Sequence, residues 1–524
     1  MLALCEHIYT ANGIQAMGRY SGIILHPTSL PGRYGIGELG DQAFQFVDFL
    51  AKSGQTLWQV LPLGPTSFGN SPYQCLSAFA GNPLLISIQR LQQQGFLPEF
   101  SDAVDGLTNA HQVDFARVIE QKMRWLRQAY QGFLQHATPE QHTAFATFAQ
   151  KQPWLDTYTL FAALKSVHQE KSWHEWPRAF AQRDPAALQQ FRHDHSNEIE
   201  FHAFLQFQFF QQWTALKQYA NENHIDIIGD LPIFVAYDSA DVWANPELFK
   251  LDAGGQPTVI AGVPPDYFSE TGQRWGNPIY DWARMAQDDY AWWRARFSSL
   301  FELADWVRID HFRGFEQHWE IPASEETAVN GCWVDGPKAD FFDTVARYLG
   351  QLPIIAEDLG VITPEVEALR RHCGFPGMKV LQFAFFDDEA TDFLPHNYEV
   401  NAVVYTGTHD NNTTRAWFES ELSEPDRARL RRYTGRFFMG DAASGELMRL
   451  AWASVARIAI VPLQDVLNLG EDARMNRPGT TTSQQWGWRF TAAALTPEVA
   501  QHLSLLSKTY ERFGRKKHKK VKTE

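Results

Sequence analysis

Eight short apolar runs, rich in β-branched residues, recur along this chain at 22–25, 57–61, 225–228, 306–309, 352–356, 379–383, 402–405 and 458–462. Within most runs the apolar positions are consecutive rather than alternating, and polar or turn residues bound the ends. A strand built this way has no face to give to water, which is the signature of a parallel sheet covered on both sides. Amphipathic stretches at 41–52, 288–303, 340–349, 364–372 and 444–456 separate most of the runs. Asp41 is read as the cap of the first, and Thr363 and Pro364 as the N-cap and first position of the fourth. Strand and helix alternating about eight times predicts the α/β class and, within it, a (β/α)8 TIM barrel.

Two intervals break the rhythm. About 160 residues separate the second run from the third, far more than a loop holds. Helical patterns at 114–136, 139–150, 155–167 and 199–223 fill that interval, which predicts a large helical insertion between strands two and three. The second break, near 234–287, is polar and rich in Gly and Pro, with many aromatics and little periodicity. It reads as a long rim loop of functional weight. The expected organisation is a barrel start at 18–74, an inserted helical subdomain at 75–224, and the barrel remainder at 225–513 with a substrate loop over 235–286. A closing helix is expected over 497–512. The last segment, 514–524, reads as a basic disordered tail.

Composition narrows the functions. With 46 Lys and Arg against 61 Asp and Glu, the net charge of −15 repels phosphates, so no nucleic-acid partner is expected. No apolar run approaches the roughly 18–20 residues of a membrane span, and Glu6, His7, Asn12 and Gln15 interrupt any signal-peptide core before Met17, an alternative start. Cys5, Cys75, Cys332 and Cys373 are far apart and form no C-x-x-C, which fits a reducing compartment. The expected location is the cytoplasm, and the expected state a monomer or weak homo-oligomer.

Gly35-Ile36-Gly37-Glu38-Leu39-Gly40 matches G-x-G-x-x-G, but it stands too far from the preceding strand and lacks the ribose-binding acid, so it reads as a turn. The stronger signal is ionisable residues at four strand exits: Asp230, Arg308 with Asp310, Glu357, and His409 with Asp410. One acid after a strand is usually a helix cap. Four such exits converge on the C-terminal rim, where barrel enzymes build their sites. Arg308 and Asp310 are two apart on a strand and point the same way, so the guanidinium is expected to lower the acid's pKa and keep it ionised as a nucleophile. Glu357, crowded by Asp310 and partly desolvated, is expected to hold its proton for a leaving group. Two such carboxyls about 5 Å apart carry out retaining glycoside chemistry. A metal site drawing on His311 or His409 is the alternative; neither metal nor cofactor is expected. Tyr73, Tyr267, Phe268, Trp275, Tyr280, Trp486 and Trp488 lie in loop-like stretches, where flat rings suit sugar faces.

Nine stretches in order then resemble the amylomaltase family, the 4-α-glucanotransferases or disproportionating enzymes. They are Ser29-Leu30-Pro31-Gly32, Gly69-Asn70-Ser71-Pro72-Tyr73, Gly229-Asp230-Leu231-Pro232-Ile233, Pro264-Pro265-Asp266-Tyr267-Phe268-Ser269, Arg274-Trp275-Gly276-Asn277-Pro278, Arg308-Ile309-Asp310-His311-Phe312-Arg313-Gly314, Ala356-Glu357-Asp358-Leu359-Gly360, Gly407-Thr408-His409-Asp410-Asn411 and Arg474-Met475-Asn476-Arg477-Pro478-Gly479. The resemblance implies a retaining transferase of the wider α-amylase superfamily acting on maltooligosaccharides and α-1,4-glucans. It implies Asp310 as nucleophile, Glu357 as general acid/base and Asp410 as the carboxylate that stabilises the transition state. Arg308, His409 and Asp230 then surround the sugar at the scissile bond, Tyr73, Tyr267 and Trp275 contact substrate, and Asn476 belongs to a lid-like loop. At Gln484-Gln485-Trp486 the chain departs from the family pattern, which has Asn before that Trp. An α-glucan hydrolase would use the same carboxylates, and a noncatalytic saccharide-binding protein the same aromatics.

Overall fold

The computed structural model describes residues 18–99, 109–265, 269–386, 391–480, 482 and 484–513. Cys5, Met17, Tyr267, Phe268 and the basic tail lie outside them.

Twelve strands appear among the described residues: β1 (Tyr20–Ile24), β2 (Leu57–Gln59), β3 (Asp226–Pro232), β4 (Val259–Val263), β5 (Gln273–Pro278), β6 (Trp306–Asp310), β7 (Gln317–Pro322), β8 (Cys332–Asp335), β9 (Ile354–Ala356), β10 (Gly377–Val380), β11 (Ala402–Tyr405) and β12 (Ile458–Pro462). Eight of them close a parallel barrel in the order β1-β12-β11-β10-β9-β6-β3-β2. Every apolar run contributes one barrel strand, because unbroken Ile, Val and Leu positions are covered inside the barrel and by helices outside. The sixth run needs correction: the strand is Gly377–Val380, and residues 381–385 form a 3₁₀ turn instead. Gly377 carries the reason. Asp358 accepts from the Met378 N–H at 2.6 Å, and a Cβ on Gly377 would lie 2.3 Å from that carboxylate. The strand therefore starts where only glycine lets it approach its neighbour.

The long rim loop also needs correction. Residues 235–286 are not structureless: β4 and β5 pair antiparallel there and join β7 and β8 in a separate sheet of order β5-β4-β7-β8. A register shift between Ile260 and Gly262 breaks the alternation that marks such strands, and the partners at 317–335 come from beyond the next barrel strand. Local periodicity had nothing to read.

Between β2 and β3 run the helices Phe115–His136, Pro139–Lys151, Leu155–Val167 and Ser196–Glu222, with shorter turns. The last is apolar on most of its circumference because it lies between the other helices and the barrel. Its Trp213 indole donates to the Leu303 carbonyl (2.9 Å), Gln206 exchanges hydrogen bonds with the Gly81 backbone, and Gln212 accepts from the Ser87 N–H (2.7 Å). The glycine-rich turn holds this region as well. Glu38 forms a fully enclosed ion pair with Lys122 of Phe115–His136, while a Cβ on Gly37 would lie 1.9 Å from the Pro27 carbonyl. One cap differs from expectation: Gly40, not Asp41, is the N-cap of Asp41–Lys52, whereas Thr363 is the N-cap of Pro364–Cys373 as expected, without a capping hydrogen bond.

At the base of the barrel the chain end is pinned by Arg512. Its buried guanidinium donates to the carbonyls of Tyr20, Ala451, Trp452, Ser454 and Ala456, which include the open end of helix Gly440–Ala453. The closing helix itself is Pro497–Thr509. No helix among the described residues is long and apolar enough to cross a membrane.

Candidate active site

The expected residues meet at the C-terminal rim of the barrel. Asp230 lies in β3, Arg308 and Asp310 end β6, Glu357 follows β9, and His409 and Asp410 follow β11. Tyr73 comes from the loop after β2, Asn476 from the loop after β12, and Trp275 from β5 of the small sheet. Tyr267 lies outside the described residues.

Register brings the two central carboxyls together. Ile309 of β6 pairs with Ala356 of β9, so Asp310 and Glu357 stand at corresponding positions one residue further on, on neighbouring strands about 4.8 Å apart. β3 and β6 pair Asp230 with Arg308, and one nitrogen of that guanidinium donates to both Asp230 oxygens (2.8 and 2.9 Å). The other terminal nitrogen donates to Asp310 Oδ1 at 2.9 Å. Burial pulls Arg308 down, but Asp230 and Asp310 overcome it and hold the group well above its ordinary range.

Burial lifts both carboxyls, and their partners differ. For Glu357 it pushes the pKa up, the Asp310 charge adds to it, and Arg308 and two backbone N–H groups pull back, leaving the group at about 8. Those N–H groups are His311 to Oε2 (2.6 Å) and Leu359 to Oε1 (3.0 Å). The expectation that Asp310 ends up lowered is corrected: Arg308 pulls it down as expected, but burial, with Asp230 and Asp410, outweighs that pull and raises the group. A third of the Asp310 side-chain surface (32%) still opens to the cleft, though its carboxylate lies among charged neighbours. Asp310 nevertheless holds Arg308 directly and Glu357 does not, so when the pair carries one proton it rests on Glu357.

Around them stands an aromatic wall. The Tyr73 ring stacks on His409 (centroids 5.0 Å, 17° between planes) and meets Trp486 at 5.8 Å. The Tyr73 hydroxyl donates to Asp230 Oδ2 at 2.7 Å. Trp275 meets the His311 ring edge-on at 4.8 Å. Asp410 Oδ1 accepts from Asn476 Nδ2 (2.6 Å), and its Oδ2 lies 3.3 Å from His409 Nε2.

Three further residues contribute, of which the sequence offers only His311, and that as a candidate metal ligand. His311 takes a left-handed backbone (φ 57°), which aims its N–H at Glu357, and burial holds its imidazole neutral, at about 3. His26, after β1, is likewise driven to about 3 by burial and by His409. Gln59 accepts from the Tyr405 hydroxyl (2.9 Å) inside the barrel beneath the site. His311 stood within a recognised motif, but no pattern announces a backbone donor; His26 and Gln59 carry no local signal at all. Among the described residues, no group of three or more His, Cys, Asp or Glu side chains is arranged to hold a metal ion.

Comparison with known proteins gives the barrel its family. The family described as 4-alpha-glucanotransferase matches residues 25–496. The chain belongs to that family. A 4-alpha-glucanotransferase of Synechocystis sp. is 52% identical over 499 residues, covering 94% of this chain and 98% of the relative. One from Thermus thermophilus is 48% identical over 506 residues, covering 94% and 99%. In structure, the amylomaltase of Streptococcus agalactiae in complex with acarbose superposes with a TM-score of 0.90 at 40% identity, covering 95% of this chain and all of that one. The fold class and the family expected from the motifs are thereby borne out.

Proposed function

We propose that this 4-alpha-glucanotransferase moves α-1,4-glucan segments from a maltooligosaccharide donor to a glucose or maltooligosaccharide acceptor, by retaining double displacement. The observation that carries the reading is a carboxyl held at about 8 beside one tied to a guanidinium. Glu357 enters protonated and gives its proton to the departing glycosidic oxygen, while Asp310 attacks the anomeric carbon and forms a covalent glycosyl ester. The acceptor's 4-hydroxyl then attacks the same carbon, Glu357 takes that proton, and the ester bond to Asp310 breaks. Asp410, with Oδ1 held by Asn476 and Oδ2 beside His409 Nε2, faces the hydroxyls of the distorted sugar, where charge develops. Asp230, Arg308 and His409 line the same sugar, and Tyr73, Trp275 and Tyr267 offer ring faces to its neighbours.

Transfer prevails over hydrolysis when the acceptor excludes water from the ester. We assign the 250–286 segment, with Tyr267 and Phe268, to cover the cleft and do this. The reading places the enzyme in the cytoplasm as a monomer or weak homo-oligomer, free of nucleic acid and membrane. Free thiols at Cys75, Cys332 and Cys373 support a reducing compartment.

Product analysis on maltotriose is the test. Glucose plus a ladder of longer oligomers, at a constant number of reducing ends, is the expected result. A rising count of reducing ends would make the protein a hydrolase.

A further inference from the structure

Beyond Asn476, a second and less obvious set of contacts controls Asp410. Three segments meet behind it: the loop after β11, the loop after β12, and a turn of π-helix at Trp417–Glu421. Arg474 bridges the first two. Its Nη2 donates to the Asp410 backbone carbonyl and its Nε to the Asn476 carbonyl, both at 2.8 Å. One rigid guanidinium thus holds the backbones of the two residues whose side chains bond each other. Glu421 completes the clamp. Its Oε1 lies 3.5 Å from Arg474 Nη1 and accepts from Asn412 Nδ2 at 2.8 Å, two residues past Asp410.

From this geometry we infer that Arg474 and Glu421 are positioning residues that set the Asp410 carboxylate against Asn476 and the reacting sugar. The inference rests on the role proposed for Asp410. Asp410 stands five residues beyond the end of β11, in a turn kept in local shape by Asn411, whose side chain accepts from Thr408. That local bond does not fix the turn relative to the next loop. Asp465, just after β12, anchors the two ends of the turn at Thr406 and Thr414, and near Asp410 itself the Asn476 N–H to the His409 carbonyl (3.1 Å), the Asn476–Asp410 side-chain bond and the Arg474 bridge make the link. Arg474 is mostly enclosed (18% of its side chain exposed) and does not replace any group in contact with Asp310 or Glu357. Tyr73 of the aromatic wall is held by Asp230, and although Trp486 donates to the Met475 carbonyl in the same loop, the clamp's own bonds end on Asp410, Asn476 and Asn412, so it is expected to act more on turnover than on affinity.

The test is a double-mutant cycle with an activated donor, an α-maltotriosyl fluoride, whose easy leaving group keeps weak variants measurable. Arg474→Ala should lower kcat about 100-fold, the cost of misplacing a reacting-site group by an ångström, with KM within about threefold and the melting temperature within a few degrees. Arg474→Lys replaces the spread Nε and Nη2 donors of a planar fork with a single point donor and should behave nearly as Arg474→Ala does. Glu421→Gln, which keeps an acceptor for Asn412, should cost about tenfold. In an Asp410→Asn background each substitution should cost less than about threefold more, because its target is already lost. Equal losses in both backgrounds, or a change confined to KM, would overturn the inference. Should Arg474→Ala not fold, the Lys and Gln variants carry the same cycle. Full activity of Asp410→Asn by itself would instead overturn the proposed role of Asp410.

Discussion

Glu357 shows how little of a residue's chemistry belongs to the residue. The carboxyl is ordinary until burial and Asp310 lift it to about 8. Catalysis needs this group protonated and Asp310 ionised, so kcat/KM with a glucan donor should fall as pH rises through about 8. A pH–rate profile checks the alkaline limb, and a flat profile to pH 10 would remove Glu357 from the acid role. Stability follows the same shift. The folded value lies above the unfolded one, so the unfolded chain gives up this proton first and stability is lost as pH climbs from about 4.5 to about 8. Glu357→Gln, which cannot ionise, should melt higher than the parent at pH 8–9, with the difference vanishing near pH 4. Both Glu357→Gln and Asp310→Ala should lose at least about 10³-fold in turnover on glucans, with unchanged circular dichroism. Turnover near that of the parent in either variant is the result that defeats the assignment.

At the scale of elements, strands and helices came from different kinds of information. Barrel strands were legible because burial on both faces leaves consecutive apolar residues, and helices because amphipathic spacing is local. The small sheet was not legible, since β4 and β5 carry a register shift and pair with β7 and β8 far downstream. Caps were half legible: Pro364 starts its helix as read, while the Asp41 cap moved to Gly40. Arg512 makes a prediction at this scale. Arg512→Ala removes the buried donor shared by backbone carbonyls at the barrel base, of which those of Trp452 and Ser454 keep a bond from Arg19, so unfolding should be easier by on the order of 3 kcal/mol. Calorimetry should register a melting temperature several degrees lower, with turnover at 25 °C nearly unchanged.

Across the whole molecule, the helices between β2 and β3 are joined to the barrel through polar contacts as well as apolar ones, among them the buried ion pair Glu38–Lys122. Lys122→Ala strands a buried carboxylate and should destabilise by about 3–5 kcal/mol. The paired replacement Glu38→Leu with Lys122→Met should recover most of that loss, as thermal melts of the single and double variants will show. A double variant as unstable as the single would mean that the pair contributes packing rather than charge. The motif that looked like a nucleotide fingerprint is therefore a docking turn, a role invisible from its spacing because Lys122 is 84 residues away. The amino-acid sequence by itself determined the barrel, its strand count, the family and the residues at the rim, because those depend on burial pattern and local order along the chain. Tertiary structure alone decided which carboxyl keeps the proton, where the second sheet pairs, and what clamps Asp410. Each of those depends on charges, N–H groups and strands that meet only after distant segments have closed the barrel, and Coulomb forces and hydrogen bonds act through space rather than along the chain.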